Sequence, residues 1–147
     1  MRRTVLVSAF ALALAAVPVM AAGDAPPVTG GRPLAVELTG AAERPGPGDP
    51  DGVGTAYFTL NPGLGEICYA LEVSGISPAR AAHIHVAGPD APGPVVVPLV
   101  APTDGSSSGC ADVDRELVME ILRHPGEYYV NVHNADYPGG ALRGQLG

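Results

Sequence analysis

Three histidines have the type and spacing that suit a metal ion. His83 and His85 are separated by one residue in a segment, residues 81–86, whose alternation predicts a β-strand. Successive side chains of a strand point to opposite faces, so both imidazoles project from one face. His133 lies in a second predicted strand, on the side opposite its valines. Three imidazoles favour copper or zinc over calcium or magnesium, which prefer oxygen ligands.

The same pattern also has a purely structural interpretation. Two histidines on the surface of a strand, or a histidine beside Tyr and Asn, also occur as hydrogen-bonded scaffold residues. The fourth histidine, His124, follows a predicted helix, where we expect it to interact with the last carbonyl groups rather than with a metal. The sequence therefore leaves the metal site and the scaffold role open for His83, His85 and His133.

Other catalytic chemistries find little support in the sequence. The carboxylates fit turns and the start of a helix, which removes the basis for a two-carboxylate hydrolase. These residues are Asp49, Asp51, Asp112, Asp114 and Glu116. There is no G-x-S-x-G motif, and residues 106–108 read as a flexible Ser loop. Asp104, with Asp112 and Asp114, offers only a loose calcium site, because the oxygen spacing of an EF-hand is missing.

The charge balance narrows the class of partner. The 147-residue chain has 8 basic residues, all arginine, and 15 acidic ones. Nucleic acids and anionic membranes are recognised through clustered cations, which this chain lacks. We therefore expect no nucleic-acid partner, and either a metal ion or a protein of unknown identity as the partner.

The beginning of the chain has the features of an export signal. Arg2 and Arg3 precede an apolar run over residues 4–19, and small residues follow at Ala21 and Ala22. About 16 apolar residues fall short of the roughly 20 that span a bilayer, which disfavours a membrane anchor. A twin-arginine signal is the less well matched alternative. Residues 1–22 are thus predicted to be a signal peptide, and the mature protein is expected to be secreted or periplasmic, without membrane contact.

The two cysteines are interpreted through that compartment. Cys68 and Cys110 are predicted to form one disulfide, because an exported protein meets an oxidising environment and the number of cysteines is even. A pair of thiolate metal ligands is the alternative. It is disfavoured because the two residues are far apart and neither belongs to a C-x-x-C motif.

The element pattern predicts a small all-β domain. Residues 23–32 are Pro-rich and aperiodic, and read as a flexible lead-in. From residue 33 to residue 147, period-two alternation is broken every ten or so residues by Gly and Pro, which is typical of an antiparallel sandwich or barrel. The predicted strands are 34–38, 53–60, 66–73, 81–86, 94–100, 127–134 and 141–146, with a loop at 101–109. One short helix follows, capped by Asp112 or Asp114.

Several motifs occur together and in order in a way that resembles the CHRD domain. They are residues 65–69 (GEICY), 82–88 (AHIHVAG), 93–99 (GPVVVPL), 128–134 (YYVNVHN) and 138–146 (PGGALRGQL). The CHRD domain is named for the animal protein chordin and is also found as a stand-alone exported protein in bacteria. The resemblance covers residues 33–147. It implies an immunoglobulin-like sandwich or a barrel, of about seven strands here, that is frequently secreted and has no well-established activity.

A second resemblance, to the copper half of Cu,Zn superoxide dismutases, concerns the same histidines. It implies a superoxide-dismutase-like barrel in which His83, His85 and His133 would bind copper and Arg143 would attract the anionic substrate. This chain departs from that pattern because only His124 lies between the H-x-H and the last histidine, so the bridging and zinc ligands are missing. The other interpretation of Arg143 is a strand residue that pairs with a neighbouring acid.

These observations lead to one functional hypothesis and two alternatives. The first is a secreted or periplasmic CHRD binding or structural module without catalytic turnover, in which a surface histidine cluster holds copper or zinc. A copper-dependent dismutase-like enzyme, with Arg143 beside the metal, is the second. The third is an adhesive protein-binding domain in which the histidines have no metal.

Overall fold

The computed structural model of this chain describes residues 30–147. The predicted signal peptide, residues 1–22, lies outside the described residues, and so do residues 23–29 of the predicted lead-in, which extends to residue 32. Within residues 30–147 the chain forms eight strands and one α-helix. They are β1 (Arg32–Thr39), β2 (Val53–Asn61), β3 (Glu66–Ser74), β4 (Ala81–Val86), β5 (Val95–Leu99), β6 (Ser106–Asp112), α1 (Arg115–Arg123), β7 (Tyr128–His133) and β8 (Leu142–Gln145), with short 3₁₀ helices at Gly40–Ala42 and Pro125–Glu127.

All eight strands belong to one antiparallel sheet that curls into a nearly closed barrel. The strand order is β5-β4-β7-β8-β1-β2-β3-β6. The two edge strands approach each other at Val100, the residue after β5. Its carbonyl accepts from the Ser107 hydroxyl of β6 at 2.7 Å, and its N–H donates to the Tyr69 hydroxyl of the neighbouring β3 at 2.8 Å. The prediction of an all-β antiparallel fold with one short helix is confirmed. Of the two predicted arrangements, the barrel is the one observed.

The core fills the inside of the barrel and follows the predicted alternation. In β1, Val36 and Leu38 are buried while Glu37 between them is exposed. In β7 and β4, Val130 faces Ile84 across the strand pair, and both are essentially inaccessible. Helix α1 contributes Val118 and Ile121 to the same core, as its apolar stripe predicts. Within residues 30–147, no helix has the length and apolar character needed to cross a membrane.

The predicted loop at residues 101–109 is wrong over residues 106–109, because Ser106–Asp112 forms strand β6. This sequence, SSSGCAD, has no apolar alternation, so nothing local indicates a strand. Its extended conformation comes instead from pairing along the length of β3. Gly109 lies opposite Tyr69, where a Cβ would come within 2.9 Å of the phenol oxygen. The described part of the chain therefore has eight strands rather than about seven.

Helix α1 begins and ends close to the predicted residues. Asp114 occupies the N-cap position, but its side chain makes no capping hydrogen bond, so the predicted side-chain cap is not formed. At the other end the His124 backbone N–H donates to the Glu120 carbonyl at 2.9 Å. The exposed His124 ring lies 3.7 Å from the Glu120 carboxylate. This placement agrees with a structural role for His124.

Cys68 and Cys110 form a disulfide between β3 and β6. Their Sγ atoms are 2.08 Å apart, and the two residues are direct cross-strand partners. Strand β6 has mostly Ser, Gly and Ala side chains, which bury little apolar surface. The disulfide therefore supplies a fixed attachment for an edge strand that packing alone holds weakly.

Removing the disulfide should destabilise the protein. The bridge closes a loop across a sequence separation of 42 residues, for which the chain-entropy estimate gives up to about 4 kcal/mol. We expect the double variant Cys68→Ser/Cys110→Ser to lose roughly 2–4 kcal/mol in free energy of unfolding, measured by urea denaturation. Ser108→Ala, in the same strand, is the control. A loss below about 1 kcal/mol would contradict this role.

Candidate metal centre

The candidate site lies on the outer face of strands β4, β7 and β8. The register places His83 opposite Asn131, which in turn lies opposite Arg143. In the next row on the same face His85 lies opposite Tyr129. His133 lies two residues beyond Asn131 on β7 and therefore shares this face. The alternation that sends the valines and Ile84 into the core thus sends all three predicted ligands to one side of the sheet.

The three imidazoles converge on that face. One ring nitrogen of each lies within 4.8 Å of a ring nitrogen of both others. The shortest separation is 3.2 Å, between His83 Nδ1 and His133 Nε2. The ring centroid of His83 is 5.5 Å from that of His85 and 5.1 Å from that of His133. The tertiary structure therefore brings together the three residues that the sequence predicted, as a group that could hold a metal ion.

Backbone carbonyls orient two of the three rings. His85 Nδ1 lies 2.8 Å from the Gly93 carbonyl oxygen, and His133 Nδ1 lies 3.1 Å from the Pro138 carbonyl oxygen. A carbonyl only accepts, so each Nδ1 carries the proton and each Nε2 keeps its lone pair. His85 Nε2 is buried and has no hydrogen-bond partner among the described residues. Histidine ligands of metals are commonly oriented by such outer hydrogen bonds.

The surroundings also favour the neutral imidazoles that bind metals. Burial lowers the pKa of His83, and the neighbouring His85 lowers it further. Burial likewise lowers the pKa of His133, and its bond to the Pro138 carbonyl opposes this effect while His83 and His85 add to it. Both rings therefore lose their proton more readily than an ordinary histidine. A neutral ring offers a lone pair without the competition of a proton.

The three histidines are less exposed than the sequence analysis predicted for a surface cluster. His85 is only 8% exposed, and His83 and His133 are half-buried. Two loops lie against these rings: residues 87–94 after β4, through the Gly93 carbonyl, and residues 134–141 after β7, through the Pro138 carbonyl. Period-two alternation indicates which side of a strand a residue occupies, but not whether a loop covers that side.

Arg143 lies in the same layer, in a role that neither sequence interpretation describes. Its side chain is 1% exposed. The guanidinium donates to the carbonyls of Ala91 at 3.0 Å and Gly88 at 2.8 Å, and to the side chain of Gln145 at 3.2 Å. Among residues 30–147 no carboxylate lies within the 4.0 Å of an ion pair with it. The side chain thus neither faces solvent nor pairs with an acid.

Tyr129 belongs to the site although the sequence analysis gave it no role. Its ring stacks on His85, with centroids 4.7 Å apart and planes 6° from parallel. The Arg143 guanidinium carbon lies 3.5 Å from the centroid of the same ring. Since β7 lies between β4 and β8, the two neighbours approach the phenol from opposite sides. Its position on the face shared with His133 was the signal available in the sequence.

Glu43 is a second residue that sequence reasoning missed. It comes from the Pro- and Gly-rich segment after β1, is 3% exposed, and one carboxyl oxygen has no partner among the described residues. Gly140 lies so close to this carboxyl that it has no room for a Cβ. Burial raises the pKa of Glu43 to about 7, against smaller lowering effects that include the Arg44 backbone N–H, the charge of Arg143 and the Asn131 side chain. No local sequence pattern indicates that a carboxylate in a loop will be buried.

Glu43 should make the stability of the protein depend on pH. The folded pKa of Glu43 is about 7 and exceeds the usual 4.5, so the folded state holds the carboxyl proton more tightly than the unfolded state does. The contribution of this proton to stability is therefore complete below about pH 4.5 and is lost as pH rises through 7. Relative to Glu43→Gln, the wild type should lose about 1–3 kcal/mol in free energy of unfolding between pH 5 and pH 8. Urea denaturation at both pH values measures this change. Glu37→Gln, at an exposed position of β1, controls for the lost charge, and a constant difference between wild type and Glu43→Gln would contradict the assignment.

The comparisons with known proteins identify the family. A comparison with curated proteins and a comparison with solved structures return no match. The comparison with protein families matches the CHRD domain over residues 34–146, which is nearly the whole of the described chain and includes all eight strands apart from the first two residues of β1. The boundaries agree with the resemblance over residues 33–147. On this match, the chain belongs to the CHRD domain family.

Proposed function

We propose that this chain is a secreted or periplasmic CHRD binding module that holds one copper or zinc ion on His83, His85 and His133, without catalytic turnover. The observation that carries the proposal is the convergence of three ring nitrogens within 4.8 Å of one another. Backbone carbonyls already orient two of the rings so that the Nε2 lone pair is retained, and the Nε2 of His85 has no partner among the described residues. Membership of the family supports the coarser part, a binding or structural module.

The donor set favours copper or zinc. All three donors are imidazole nitrogens, which suit these metals, and an acidic chain attracts cations. Metal–nitrogen bonds of about 2.0–2.1 Å place two ligand nitrogens at most about 4.2 Å apart. The pair at 3.2 Å already satisfies this limit, and nitrogens within 4.8 Å of one another reach it with ring movements below about 1 Å. No large rearrangement of the sheet is required.

The dismutase-like alternative receives no support from Arg143. That mechanism uses a cationic side chain presented to an anion at the metal, whereas Arg143 is 1% exposed and donates to carbonyl oxygens of its own chain. Three protein ligands leave a fourth position for water or another ligand, as catalytic metal sites also do, so ligand number does not decide between binding and turnover, and the placement of Arg143 does. We therefore assign the site to ion binding rather than to turnover.

Export is part of the same proposal and rests on separate support. A disulfide between Cys68 and Cys110 is stable in an oxidising compartment, and the predicted leader precedes the domain. We expect protein recovered outside the cytoplasm to begin at residue 22 or 23, as determined by intact mass. A full-length chain that still carries residues 1–21 in that fraction would contradict cleavage.

Replacing one ligand should abolish tight metal binding. Wild-type protein purified without a His-tag and dialysed against copper or zinc should hold one ion per chain, measured by elemental analysis. His83→Ala removes one of three donors, so we expect its affinity to fall at least about 100-fold, measured by competition with a chelator.

His124→Ala is the matched control, because it removes an exposed histidine that lies at the end of α1. It should bind as the wild type does. Equal metal content in wild type and His83→Ala would overturn the metal proposal and leave the binding or structural module without an ion. A drop in both variants would show binding by dispersed surface histidines.

A further inference from the structure

The loop at residues 87–94 covers the histidine face and is attached to it by side chains of β8. Its sequence, AGPDAPGP, forms no regular structure. Gln145 donates from its amide to the Ala87 carbonyl at 2.7 Å. Arg143 donates to the Gly88 and Ala91 carbonyls, at 2.8 and 3.0 Å. Strand β8 therefore determines where the middle of the loop lies.

The far end of the same loop carries the carbonyl that orients His85. Gly93 accepts from His85 Nδ1 at 2.8 Å, and its N–H donates to the Tyr129 hydroxyl at 3.1 Å. The loop passes so close to β4 at this point that a Cβ on Gly93 would collide with the Val86 carbonyl. The direction of the Gly93 carbonyl thus depends on the path of the whole loop.

A second connection runs through the aromatic ring between the two residues. Tyr129 is sandwiched by His85 at 4.7 Å and by the Arg143 guanidinium at 3.5 Å. A cation over one face of a buried phenol is attractive and fixes the position of the ring. The ring in turn limits the rotation of the imidazole stacked on it.

We propose that Arg143 is a positioning residue for His85: by anchoring the 87–94 loop and the Tyr129 ring, it keeps His85 protonated on Nδ1 and free on Nε2 for the ion. The consequence of this inference for metal binding rests on the proposed function. The orientation of His85 itself belongs to the metal-free protein and is measurable there.

The chemistry of the guanidinium explains why arginine suits this position. It presents several donors in a planar fork, so a single side chain reaches two carbonyls of one loop while its central carbon lies over an aromatic ring. A lysine keeps the charge but offers a point-like ammonium that cannot reproduce the fork. A glutamine has neither the charge nor the reach.

The test compares Arg143→Gln and Arg143→Lys with the wild type in the metal-free state. Nitrogen NMR of ¹⁵N-labelled histidine rings distinguishes Nδ1-protonated from Nε2-protonated imidazole. We expect a single Nδ1–H form of His85 in the wild type, a mixture in Arg143→Gln, and an intermediate result in Arg143→Lys. Arg123→Gln, an exposed arginine of α1, should keep the wild-type signal.

Metal affinity is the second readout. Loss of an outer hydrogen-bonding partner typically weakens binding by about 10–100-fold, and we expect a loss in this range for Arg143→Gln, with a smaller loss for Arg143→Lys. Competition with a chelator measures both. A purely structural role would lower the melting temperature but leave the His85 tautomer and the affinity of the folded variant unchanged.

The outcomes separate the two proposals. A folded Arg143→Gln variant with the wild-type His85 tautomer and wild-type metal affinity would overturn the positioning role while the metal site stands. A wild type that binds no metal would overturn the proposed function, whereas a changed His85 tautomer in Arg143→Gln would still support positioning. If Arg143→Gln does not fold, Arg143→Lys decides by the same two measurements, and the wild-type result in both would refute the inference.

Discussion

The outer face of β4, β7 and β8 depends on one constraint: a polar group that is removed from water must find another partner. This part of the barrel is covered on both sides, by the apolar core within and by two loops outside. Arg143 meets the constraint with carbonyls of residues 88 and 91 and with the Tyr129 ring. His85 meets it with the carbonyl of Gly93. The loops are therefore held by the same bonds that satisfy the buried polar layer.

The groups that do not meet this constraint are acceptors. His85 Nε2, one oxygen of Glu43 and the Asn131 side-chain oxygen are buried without partners among the described residues. An unpartnered buried acceptor costs on the order of 1–3 kcal/mol. A cation near the imidazoles, or a proton on the Glu43 carboxyl, supplies the partner that these acceptor atoms lack. The raised pKa of Glu43 and the free lone pair of His85 are two results of the same burial.

Much of the barrel could be predicted because its strands carry a local signal. Alternation in β1 and β4 gave their positions and faces, and with them the common side of His83 and His85. Strand β6 has no such signal, since Ser and Gly adopt an extended conformation there only through pairing with β3 and the bond to Cys68. The burial of Glu43 could not be predicted for a related reason. A loop residue becomes buried through contacts with residues far away in sequence, here Gly140 and Asn131.

The sequence by itself determined the all-β fold, two cysteines suited to one disulfide, and the common face of His83 and His85, because period two and residue chemistry are local properties. The pairing of β4 with β7 decided that His133 shares this face. Only the tertiary structure decided that the barrel nearly closes, that loops cover the histidines, and that Arg143 points into the covered layer rather than to solvent. These features depend on contacts that no local pattern specifies, such as those between Val100 and Tyr69, 31 residues apart, and between Arg143 and Ala91, 52 residues apart. Burial, unlike alternation, belongs to the assembled molecule.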